Sequence, residues 1–85
     1  MKVRCRTRSG SRVAYDVLEL SPGGCLIDGR GWMPKAGEAI SVWLDGLDAL
    51  PATVAWIEDG KAGIAFEQLL HEAVYVRLAD RVAPG

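Results

Sequence analysis

Histidine occurs once and cysteine twice in these 85 residues. Cys5 and Cys25 form no CxxC pair and have no histidine nearby, so the chain offers no set of zinc ligands. No apolar run approaches the roughly 18–20 residues that a membrane-crossing helix needs. The basic opening MKVRCRTRSG leads into no apolar signal-peptide core. These gaps predict a cytoplasmic chain with reduced, buried cysteines rather than a disulfide. No nucleophile has a base partner, and no phosphate-binding loop is present. Asp45, Asp48, Glu58 and Asp59 fall in turns with no pairing that suggests acid–base work. The sequence therefore reads as a non-enzyme. Acids are also missing at the start, where the first is Asp16. Lys2, Arg4, Arg6, Arg8 and Arg12 make up half of the 10 basic residues. On a chain of net charge −1, such a local patch points to a small anionic ligand or an acidic protein surface. Duplex nucleic acid usually needs a larger basic footprint.

What is present is ordinary for one small globular domain: 49% hydrophobic and 25% charged residues, with room for a single core. Residues 2–8 alternate, with Lys2, Arg4, Arg6 and Arg8 on one side and Val3, Cys5 and Thr7 on the other. That is the period of a strand, and it puts the four bases on one face. The basic face has two readings: a solvated strand side that discourages edge-to-edge aggregation, or a surface for phosphate or a partner. Ser9 to Ser11 supply a turn, and Arg12–Leu20 reads as the returning strand. Ser-Pro-Gly-Gly, residues 21–24, separates it from a short third strand, Cys25–Asp28. The Gly- and Pro-rich stretch DGRGWMPKAGE is a loop. Ala39–Leu44 alternates again, with Ile40, Val42 and Leu44 facing one way. Ala52–Ile57 is a fifth strand with Val54 and Trp56 on one face, and Trp56 is expected in the core. Asp59-Gly60 is a hairpin signal, because such turns need positive φ, and Ala62, Ile64 and Phe66 mark a sixth strand.

From Gln68 to Arg81 there is no Gly or Pro, and Leu70, Ala73, Val74, Arg77 and Leu78 recur at helical spacing. The predicted class is all-β with one C-terminal helix, as a small antiparallel barrel or sandwich. Trp43 falls opposite Ile40, Val42 and Leu44, hence outward. It reads either as an interface anchor or as a residue packed under a loop or helix. Trp32, beside Arg30, is expected to pack within its loop, and His71 to lie at the surface of the helix.

LELSPGGCLI, residues 18–27, resembles the signature turn of PilZ domains, written (D/N)-x-S-x-x-G, with Glu19, Ser21 and Gly24 at the motif positions. PATVAWIEDGKAGIAF resembles the paired fifth and sixth strands of that family, which end in Gly-apolar-x-Phe, here Gly63, Ile64, Ala65 and Phe66. A terminal helix follows, as in the family, and the resemblance runs from about residue 2 to 80. It implies a single PilZ-like domain over 1–85: a six-stranded antiparallel barrel over about 2–67, capped by a helix over about 68–81. It further implies a role in bacterial cyclic di-GMP signalling, as a receptor or an adaptor.

In the family, an R-x-x-x-R segment before the first strand grips the ligand's phosphates and stacks on guanine, and the signature turn meets the other guanine. Arginine suits this work because its planar fork matches phosphate and the guanine edge. The candidate cyclic di-GMP residues here are therefore Arg4, Arg8, Glu19, Ser21 and Gly24. Two positions depart from the pattern. Arg4 and Arg8 have the spacing but lie inside the first predicted strand, so the separate arginine segment is expected to be lacking. The acidic position holds Glu19 rather than Asp or Asn, and short side chains bind their own turn better. Losing an arginine pair removes charge-assisted contacts of roughly 1.5–3 kcal/mol each. The expectation is a non-enzymatic adaptor with weak or lost cyclic di-GMP binding that works through a protein partner, with Trp43 as candidate interface residue. The alternatives are a true cyclic di-GMP receptor using the turn and the strand-one arginines, and a small barrel binding single-stranded nucleic acid through Arg4, Arg6 and Arg8. The last is disfavoured because strand one has no aromatics interleaved with its bases.

Overall fold

Alternating apolar residues build six strands in the computed structural model, which describes residues 1–6, 10, 12–29, 35–44 and 46–82. They are β1 (Lys2–Arg6), β2 (Val13–Ser21), β3 (Gly24–Asp28), β4 (Ala39–Trp43), β5 (Leu50–Glu58) and β6 (Lys61–Phe66), followed by helix α1 (Glu72–Ala79). The strands close into an antiparallel barrel in the order β1-β2-β3-β6-β5-β4, with β4 returning to pair with β1. Closure settles barrel against sandwich, and it leaves β1 hydrogen-bonded on both sides rather than at an edge.

Inward positions of the strands fill the interior. Val3, Cys5, Val17, Ile27, Ile40, Val42, Val54 and Ile64 are buried, and among the described residues no polar or charged side chain is. Each fully buried Val or Ile contributes about 1.5–3 kcal/mol relative to exposure. Both cysteines are free and buried. Ile40, Val42 and Leu44 point inward as their alternation predicts, which leaves Trp43 half-buried on the outer side. Asp59 (φ 52°) and Gly60 (φ 74°) form the predicted two-residue hairpin loop, both in the left-handed region that a primed turn demands.

Two expectations change. The helix spans Glu72–Ala79, not 68–81. The Leu70 N–H donates to the Pro22 carbonyl at 2.8 Å, which ties the chain before His71 to the β2–β3 turn. His71 then caps the helix, its Nδ1 accepting from the Ala73 N–H at 3.1 Å. Leu78 is fully buried and anchors α1, which packs against β2. The second change is Trp56, which is 43% exposed and not in the core. The β5–β6 register shifts between Val54 and Trp56, and this bulge at Ala55 turns Trp56 to the outer face. Among the described residues no helix is long and apolar enough to cross a membrane.

Candidate functional site

The β2–β3 hairpin turns through Pro22 and Gly23, with Ser21 paired to Gly24. The Ser21 hydroxyl donates to the Gly24 carbonyl at 3.3 Å. The Gly23 carbonyl accepts from the Phe66 N–H at 2.9 Å, and that of Pro22 accepts from Leu70. The turn is thus fastened to the end of β6 and to the segment leading into α1. Gly24 has a separate duty: a Cβ there would collide with the Ile64 carbonyl, because β3 passes very close to β6. Three of the turn's polar groups and its second glycine therefore serve the fold.

The side chains that remain form a site. Val17 points inward, and simple alternation would send Glu19 inward too. A register shift between Val17 and Glu19 instead re-aims Glu19 outward, on the same face as Ser21. The bulge in β5 does the same for Trp56. The pairing then sets Glu19, Leu26, Gly63 and Trp56 in one row across β2, β3, β6 and β5. Strand spacing of about 4.8 Å puts the ends of that row roughly 14 Å apart along the surface. Its neighbour runs Ser21, Gly24, Ala65, Thr53. Because Gly24, Gly63 and Ala65 have little or no side chain, these rows leave an open depression of about 350 Å³. Trp56 walls it, its indole lying directly over Gly63 where no Cβ fits.

Glu19, Ser21 and Gly24 thus all line the depression. Arg4 does not join them. It pairs with Ala14, seven residues along β2 from Ser21, or roughly 23 Å at about 3.3 Å per residue. Arg8 lies outside the described residues, as do Arg30, Trp32 and Asp45. Among the described residues the depression is lined by one carboxylate, Glu19, and by no cation. Among the described residues no hydrogen bond or ion pair engages Glu19. Trp56 is the residue that strand periodicity misses. Counting back from the Asp59-Gly60 turn finds it, because Glu58 faces Lys61, Ile57 faces Ala62 and Trp56 faces Gly63.

A second surface forms where β4 closes on β1. Arg4 stands between Ala14 of β2 and Trp43 of β4, and Arg6 faces Ser41. Arg12 crosses over this row, its guanidinium carbon 4.1 Å from the centroid of the Trp43 ring. Lys2 is held by exposed Asp16 at 3.5 Å, a pair worth little in water. Lys2, Arg4, Trp43, Leu47 and Arg81 line a groove of about 420 Å³ on this face. Among the described residues no group of His, Cys, Asp and Glu is arranged to hold a metal ion.

Comparison with known proteins gives one family. The family model described as PilZ domain matches residues 1–81 of the 85. No curated protein and no solved structure matches.

Proposed function

The chain belongs to the PilZ domain family, a family of cyclic di-GMP signalling domains, and we propose that within such a pathway it is a non-enzymatic, cytoplasmic adaptor. In this reading it acts through a protein partner, and direct cyclic di-GMP binding is weak or absent. One observation carries the reading: the depression at the signature turn presents Glu19 and, among the described residues, no arginine or lysine. A dianionic diphosphate meets there a like charge and no charge-assisted donor. Each missing contact costs roughly 1.5–3 kcal/mol, about a tenfold to hundredfold in affinity. The carbonyls of Pro22 and Gly23 and the Ser21 hydroxyl are already engaged within the fold.

The test is titration of the intact chain with cyclic di-GMP, followed by calorimetry and by amide NMR. The expected result is no heat and no shifted resonances up to about 0.5 mM ligand. A low-micromolar dissociation constant with shifts at Glu19–Gly24 would overturn the adaptor reading. A receptor reading has its own support, in the exposed Trp56 indole, which lines the same depression as Glu19 and Ser21. A guanine base can stack on the indole while a carboxylate accepts from its N–H edge. In that case Trp56→Ala would abolish the shifts.

A further inference from the structure

The outer face of β1 carries Arg4 and Arg6, with Arg12 close by, just before β2. Arg4, Arg6 and Arg12 are exposed, and among the described residues no carboxylate pairs with Arg4 or Arg6. Like charges side by side on a sheet are unfavourable, so such a row calls for a reason. Protection of a sheet edge is not that reason, because β1 is paired to β2 and β4 along the barrel wall and has no edge to protect. The same closure prevents a partner from adding a strand here. Whatever docks must do so through its side chains.

Resting on the adaptor reading, we propose that this face, centred on Arg4, Arg6, Arg12 and Trp43, binds an acidic segment of a protein partner. Charge complementarity sets the occupant. Arg4 and Arg6 are two residues apart on one strand, so their bases project about 6–7 Å apart. Carboxylates at i and i+2 of an extended segment, or at i and i+3 or i+4 of a helix, match that interval. Arg12, stacked on the groove-lining Trp43, adds a third guanidinium whose planar fork suits a bidentate carboxylate. Leu47 and Ala14 supply apolar floor for a side chain between the acids. Single-stranded nucleic acid fits less well. The indole it would stack on is covered by Arg12, and the chain as a whole carries net charge −1.

The experiment is an amide NMR titration of the full chain with a capped hexaglutamate peptide. Oligothymidine and phosphatidylserine vesicles are run in parallel. Shifts confined to β1, β4 and Arg12 are expected. Affinity should fall about tenfold with Arg4→Ala plus Arg6→Ala, and several-fold on raising salt from about 50 to 300 mM. If that double variant loses its native spectrum, Arg12→Gln, which leaves β1 intact, serves instead and should weaken the peptide severalfold. The proposal is overturned if the peptide shifts nothing on this face, if neither variant weakens it, or if oligothymidine or vesicles saturate the same amides at lower concentration. A failure here is separable from failure of the adaptor reading, which is read at Glu19–Gly24 with cyclic di-GMP.

Discussion

Replacing Gly24 with alanine tests whether the signature glycine belongs to the ligand or to the barrel. A Cβ at Gly24 would fall well inside van der Waals contact with the Ile64 carbonyl oxygen. It would lie 3.2 Å from that carbonyl's carbon and 3.4 Å from the Ala65 Cα. All three are backbone atoms, so no rotamer change can relieve the clash. β3 must move off β6 by about 1 Å, which strains the ladder pairs Gly24–Ala65 and Cys25–Ile64. Overpacking of a tight site costs about 1–3 kcal/mol, and a rigid backbone collision belongs at the top of that range or beyond. An 85-residue domain has roughly 4–13 kcal/mol in all. A loss of about 3 kcal/mol should lower Tm by roughly 12 °C or more, and at the weaker end of that range it would leave only about 1 kcal/mol. Gly23→Ala is the control. Its Cβ would meet only Leu69 Cδ2 at 3.4 Å, and its φ lies outside the left-handed region, so Tm should change by no more than about 4 °C. Both are read by thermal melts in far-UV circular dichroism. A Gly24→Ala protein that melts within about 4 °C of the parent would refute the close-approach argument.

Gly63→Ala should act differently, because the atoms in its way belong to the Trp56 indole, a side chain already 43% exposed. The ring swings into water, Tm falls by only about 4–8 °C, and the Trp56 indole resonance and emission shift toward those of a solvated tryptophan. An unmoved indole signal would show that the ring does not lie over Gly63. Burial pushes the thiols of Cys5 and Cys25 from the ordinary 9.0 up to about 12. Below pH 9 both the folded and unfolded chains keep these protons, so the thiols add no pH dependence there. Between pH 9 and 12 the unfolded chain releases them while the folded chain holds them, so stability falls as pH rises. Urea midpoints from pH 7 to 11 should decline less steeply for Cys5→Ala or Cys25→Ala than for the parent, and equal slopes would contradict the burial of these thiols.

The sequence was legible where alternation runs unbroken and opaque where it is interrupted. In β1 and β4 every second residue is apolar with no bulge between, so Val3, Cys5, Val42 and the outward Trp43 follow from period two alone. In β5 the same rule fails after Val54, because one extra residue inverts every face beyond it. The bulge before Glu19 works in the opposite sense. Without it the motif acid would point into the core, so the site exists only because the strand departs from its own pattern. The start of α1 was unreadable for another reason. Gln68, Leu69 and Leu70 have helical composition, but Leu70 is buried in the core and bonds Pro22, 48 positions earlier in the chain, contacts that local composition does not encode. The nearness of Arg4 to Trp43 likewise depends on barrel closure, which no local pattern encodes.

These particulars bear on what the motif can testify to. Gly24 is required by the approach of β3 to β6, and Ser21 bonds the Gly24 carbonyl across its own turn. Pro22 and Gly23 hold β6 and the helix lead through their carbonyls. Any residue would supply those two carbonyls, but Gly24 is needed for the fold whether or not a nucleotide binds. The presence of Gly24 is therefore accounted for by the packing of the barrel alone. Only Glu19 and Trp56 line the depression with functional groups that no described hydrogen bond or ion pair occupies. They can frame a base, but they bring no positive charge for its phosphates. The described exposed arginines of β1 and Arg12 sit where β4 closes the barrel, roughly 23 Å away along β2 for Arg4. Within the described residues, the exposed arginines of this face and the signature turn are thus separated.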